Sequence, residues 1–154
     1  MNIFEYFTDE VADIERKLDE LTRNYSNWSR EKVFDSTKEI LDQIGGHLKK
    51  QNVLLFQNCA DVSKQSDLLA QAQRDHAKIE EEIGQIVEVH VDEPNYDEYL
   101  SNLLTTIREH VAFSKKLYAE IQARSSETDL ASLNAQFNDI ILHSTDFNSL
   151  QPTL

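Results

Sequence analysis

The sequence predicts an all-α chain: an antiparallel up-down-up-down four-helix bundle with an additional short C-terminal helix. Three observations carry this reading. Apolar residues recur at steps of three and four through most of the chain, the period of a helix. Only three glycines and two prolines occur in 154 residues, so long uninterrupted helices are open to it. Four periodic segments of similar length are joined by short turns, which favours antiparallel neighbours, and no strand-like alternation competes.

The first segment, about residues 3–24, places Phe4, Phe7, Val11, Ile14, Leu18 and Leu21 on one stripe. The stretch NYSNWS that follows reads as a turn, with Asn27 or Ser29 as helix cap. The second segment, about 30–58, carries Val33, Thr37, Ile40, Ile44, His47, Gln51 and Leu55. It contains the pair Gly45-Gly46, which costs a helix interior about 2 kcal/mol against alanine. Such a pair would open space, bend the helix or let a neighbouring helix come close. Asp61 and Ser63 are cap candidates for the third segment, with Leu69, Ala72, His76, Ile79, Ile83 and Ile86. HVDEPN makes the next turn. The fourth segment carries Tyr99, Leu103, Ile107, His110, Ser114, Leu117 and Ile121. A weaker fifth pattern, Leu130, Leu133, Phe137 and Ile140, is expected to lie across the bundle or to dock on a second copy. The expected division is a bundle over residues 1–123 and a short helix with a loose tail over 124–154.

Composition narrows the function. The net charge of −13 repels phosphate backbones and anionic membranes, so neither nucleic acid nor membrane is an expected partner. Cations, basic proteins or plain solubility fit it. The single cysteine, Cys59, excludes an internal disulfide and a cysteine-based metal site. The N-terminal stretch lacks the basic-then-apolar pattern of a signal peptide, and no apolar run approaches a membrane span. A cytoplasmic protein is the default expectation. No nucleophile–base pairing stands out, so an enzyme is not the expected reading.

Histidine placement is the most specific signal. Three of the five histidines, His47, His76 and His110, fall on the core stripes of three different segments. Counted from the intervening turns at about 1.5 Å per residue, they lie within about one helical turn of the same height. One core histidine is commonly a hydrogen-bonded structural residue. Three at one level are expensive to bury unless something satisfies their ring nitrogens, and a metal ion does so well. Glu80, one turn after His76, would complete a two-histidine, one-carboxylate set with His110, which suits iron with open positions. Glu80 also stands in IEEEI, a charge run of the kind that forms a solvated face. His90 and His143 read as structural or exposed.

These residues resemble the hemerythrin-like family (the HHE cation-binding domain). In HLKKQNVLLF, His47 and the pair Leu55-Phe56 match the second-helix motif; RDHAKIEEEI places His76 on the third helix, and REHVAFSKKLYAEI places His110 on the fourth. The overlap covers most of residues 3–123. The resemblance implies a four-helix bundle holding a non-haem di-iron centre with histidine and bridging carboxylate ligands. The chain departs from it at defined positions. The first-helix ligand falls near Val11, one bridging carboxylate is Gln51, the other is Ser114 or Lys115, and a further third-helix histidine falls at Glu80. Two expectations follow. In one, a single metal, iron in the first instance, sits on His76, Glu80 and His110, with His47 as fourth ligand and Gln51 as weak oxygen ligand or support, and the protein binds O2 or NO, senses them or handles iron. In the other, the bundle is metal-free. His47, Gln51, Ser114 and a Glu80–Lys115 pair then form a buried network, and the chain acts as a protein-interaction module through its acidic face or fifth helix.

Overall fold

A computed structural model describes residues 2–56 and 66–143, the last three and Ser66 by backbone alone. Every regular element among the described residues is helical. The elements are α1 (Ile3–Asn24), α2 (Arg30–Lys50) running directly into a π-helical segment (Gln51–Phe56), α3 (Ser66–Val87), α4 (Pro94–Arg124) and α5 (Glu127–His143). The cap candidates Asp61 and Ser63, Cys59, and the tail from residue 144 onward lie outside the described residues.

Local chemistry sets the helix starts. The Asn2 side chain accepts hydrogen bonds from the backbone N–H groups of Phe4 and Glu5, capping α1. Ser29, rather than Asn27, caps α2 by accepting from Lys32 N–H. Pro94 opens α4 at the position where a missing N–H costs nothing. Ser126 Oγ accepts from Asp129 N–H at 3.1 Å at the start of α5.

The apolar stripes read from the sequence form the core. Phe4, Phe7, Val11, Ile14, Leu18 and Leu21 of α1 are all buried, as are Val33, Ile40 and Ile44 of α2 and Leu103, Ile107, Leu117 and Ile121 of α4. Helix α3 packs on α4, and α1 packs on α2, α4 and α5. Polar pairs tie these helices edge to edge. Lys17 of α1 meets Glu39 of α2 at 3.1 Å, Arg124 of α4 meets Asp67 of α3 at 3.1 Å, and Arg108 of α4 meets Asp19 of α1 at 2.9 Å. Helix α5 docks on its own chain. Leu133 and Phe137 are buried, Phe137 meets the Tyr6 ring at 5.2 Å, and Asn134 Oδ1 accepts from Ile3 N–H at 2.9 Å. No described helix is long and apolar enough to cross a membrane.

The irregularity in the second segment falls after the glycines, not on them. Residues 30–50 are continuous α-helix, and no described glycine uses positive φ. A methyl group added at Gly45 would meet no atom within 4 Å, so no neighbouring helix makes close approach there. Gly45→Ala is therefore expected to stabilise the protein by about 0.5–1 kcal/mol in urea unfolding, through helix propensity and a less flexible unfolded chain. The break comes at Gln51–Phe56. Its wider winding buries the three consecutive residues Leu54, Leu55 and Phe56, which a regular α-helix would splay over more than half its circumference.

Candidate histidine-lined core site

Three helices deliver imidazoles to one place. His47 of α2 and His110 of α4 are fully buried, and His76 of α3 is 5% exposed. The His76 and His110 rings lie 5.0 Å apart and those of His47 and His110 lie 6.0 Å apart, centre to centre. Phe7 stands edge-on to His47 at 6.0 Å, and Phe56, brought round by the π-helical segment, lies 5.2 Å from His76. Aromatic walls thus close the cluster on two sides.

Gln51 is the hub. It follows His47 by one turn on the same buried face of the second segment. Its Oε1 lies 2.7 Å from His76 Nε2 and 3.1 Å from His110 Nε2. Its Nε2 reaches Ser114 Oγ at 3.3 Å and the Tyr118 hydroxyl. Tyr118 in turn stacks on Phe7 at 5.6 Å. Burial raises the Tyr118 phenol above its ordinary value, so it stays protonated.

Carboxylates hold two of the rings from outside. His47 Nδ1 lies 2.6 Å from Glu10 Oε1, and the other Glu10 oxygen pairs with Lys50, which also reaches Tyr6 at 3.1 Å. His110 Nδ1 lies 3.3 Å from Asp75 Oδ2. Burial alone would raise Glu10; its bonds and charge contacts with His47 and Lys50 outweigh that and leave it lowered. Burial, aided by the neighbouring His110 and His47, drives His76 down to about 3. Burial and His47 drive His110 down to about 4, against the opposing pull of Asp75. His76 and His110 are therefore neutral at pH 7.

A neutral imidazole has one proton, and its partners dictate where it sits. A carboxylate accepts only, so Glu10 requires the proton of His47 on Nδ1, and Asp75 favours the same for His110. In a neutral ring held this way, the inner nitrogen, Nε2, carries the lone pair. For His110 this suits a Gln51 amide turned with its NH2 toward the imidazoles and its oxygen toward the two hydroxyls, an orientation related to the one above by a flip of nearly identical atoms. His47 Nε2 is buried with no hydrogen-bond partner among the described residues, and so is His76 Nδ1.

Glu80, expected as a ligand, stands apart from this cluster. It is exposed, and so is Lys115, which pairs with Glu15 at 2.7 Å rather than with Glu80. The reason is angular. Four residues overshoot a full helical turn by about 40°, and the buried face of α3 leans the other way, toward Ile79 and Ile86. The carboxylate that reaches the cluster from α3 is instead Asp75, on the opposite flank of His76. Glu10 and Lys50, which the sequence did not single out, also belong to the site, together with Tyr118. His90 is exposed, 3.5 Å from Asp92. Among the described residues, no group of three or more His, Cys, Asp or Glu side chains is arranged to hold a metal ion, and two of the three imidazoles, His76 and His110, close on the Gln51 amide. Comparison with models of known families, with curated proteins and with solved structures finds no match for this chain.

Proposed function

We propose that the chain is a hemerythrin-like, antiparallel up-down-up-down bundle that binds one metal ion per chain at His47, His76 and His110. What supports the arrangement is the order of side-chain pairs. Along α1 and α2 the partners run Glu10–His47, Asp13–Gln43, Lys17–Glu39, and along α3 and α4 they run Asp67–Arg124, Asp75–His110, Glu82–Thr106, so the numbers fall on one helix as they rise on the other. What supports the resemblance is the order of His47, His76 and His110 on three helices and their meeting in one cluster.

The single observation carrying the metal is the inner nitrogen of His47. Its outer nitrogen is committed to Glu10, and the inner one is left buried and unpartnered. A neutral imidazole with its outer N–H on a carboxylate is the form in which histidine ligates. The donor set would be three imidazole nitrogens, with Gln51 supplying a neutral oxygen after its amide shifts. Such a set suits iron, zinc or copper, and bound metal would supply Lewis acidity or a seat for O2 or NO. Both bridging carboxylates of a di-iron centre are replaced, by Gln51 and Ser114, so a second metal has no bridge. Calorimetric titration of tag-free protein with Co(II) or Fe(II) tests this. One site is expected, weakened at least 100-fold in His47→Ala or His110→Ala and unchanged in Glu80→Ala. A wild type that binds neither ion overturns the reading.

A metal-free core is the second reading, and Gln51 favours it. Its amide already satisfies His76 and His110 while its other end meets Ser114 and Tyr118. In that case the chain is an interaction module, and the exposed apolar side chains Phe34 and Val87, 44% and 65% exposed on α2 and α3, mark the face to test.

A further inference from the structure

Beyond the three histidines, the structure assigns a positioning role to Glu10, held by Lys50: it fixes which nitrogen of His47 carries the proton and turns the other into the core. This deepens the metal reading above, on which only its affinity arm rests.

The case starts from placement. Glu10 stands on α1, which contributes no imidazole to the cluster. Its side chain is 11% exposed, between solvent and His47, which has no exposure at all. One carboxylate oxygen meets His47 Nδ1 at 2.6 Å, and the other pairs with Lys50, itself 14% exposed. Lys50 is also anchored on the Tyr6 hydroxyl and lies over the Tyr6 ring, 5.4 Å from its centre. Phe7, the neighbour of Tyr6, packs edge-on to the same imidazole. The carboxylate is therefore oriented by Lys50, itself anchored on the Tyr6 hydroxyl, and it faces the imidazole with acceptor oxygen only. His47 has no second route to a defined tautomer, because its Nε2 meets no hydrogen-bond partner among the described residues. Without Glu10 both ring nitrogens would be without a hydrogen bond, and nothing would decide between them.

The consequence is selective. With the proton held outside, the inward lone pair of His47 accepts a cation or a hydrogen-bond donor and repels an anion or a bare acceptor. Glu10 thus sets the class of ligand that the core admits.

Long-range 15N–1H spectra of the histidine rings read the tautomer directly in chelator-treated protein. Wild-type His47 is expected to show the Nδ1–H form. Glu10→Ala should convert it to a mixture or to Nε2–H, and Glu10→Gln, whose amide oxygen still accepts, should retain much of the Nδ1–H signature and guard against a folding defect in the alanine variant. Lys50→Met should give an intermediate spectrum. The affinity for Co(II) should fall about 10- to 100-fold in Glu10→Ala, with His76 and His110 tautomers unmoved. A wild-type His47 in the Nε2–H form, or an unchanged Nδ1–H signature in Glu10→Ala, overturns the assignment. A wild type with the expected tautomer, lost in Glu10→Ala, upholds it even if Co(II) binds nowhere; that last result overturns the metal reading alone.

Discussion

Acidification from pH 7 to 4.5 is expected to remove on the order of 4 kcal/mol of stability from the chelator-treated protein. His76 and His110 titrate near 6.5 when unfolded and at about 3 and about 4 when folded. Between those values the unfolded chain binds more protons than the folded one, so stability rises with pH through the window. The contribution is complete above about pH 6.5 and is lost as pH falls through it. Each pH unit inside the window is worth about 1.4 kcal/mol per group. Glu10, lowered on balance in the folded state, adds a loss in the same direction as pH falls through and below the ordinary carboxylate value. The net charge of −13 shrinks over the same interval, which relieves self-repulsion and offsets a minor part of the loss. Urea unfolding from pH 7.5 to 4.5 measures this. The slope should begin near pH 6.5, above where carboxylates titrate, and a flat profile down to pH 5 would contradict the burial of two neutral imidazoles.

Gln51→Leu should be strongly destabilising in the metal-free protein, costing about 3–5 kcal/mol. Leucine nearly preserves volume, so cavity formation contributes little. The cost comes from stranded partners. His76 Nε2, His110 Nε2, Ser114 Oγ and the Tyr118 hydroxyl all lose contact with the one amide that joins them. Each buried polar group left without a partner costs about 1–3 kcal/mol, and the groups are close enough to compensate one another in part. Denaturant unfolding reads it; a loss below about 1 kcal/mol would mean that Gln51 is not the hub.

Both effects bear on how much of this molecule its sequence discloses. The helices are nearly all there, because periodic residues such as Phe4, Phe7, Val11 and Ile14 have only one face on which to hide. The meeting of His47, His76 and His110 is legible for the same reason: residues on core stripes at equal distance from turns must come together. The charged groups around them are not. Glu10 and Asp75 sit at the margins of their stripes, where a difference of about 40° decides between solvent and site, and spacing alone points to Glu80. The proximity of Lys50 to Glu10 is a contact between helices that no periodicity encodes. The π-helical turn was equally hidden, since Gly45-Gly46 is the conspicuous interruption in the sequence whereas QNVLLF carries no breaker. Its only trace is three consecutive buried residues, which a stripe reading assigns to a helix end.

The most direct test of the central claim is anomalous X-ray diffraction at the metal edge from crystals grown with one equivalent of Co(II) or Fe(II). One peak per chain is predicted, about 2.0–2.2 Å from the Nε2 atoms of His47, His76 and His110, with the Gln51 amide displaced from its place between two of the imidazoles. Two peaks in the core, a peak at Glu80, or an empty core in which Gln51 still bridges His76 and His110 would contradict it.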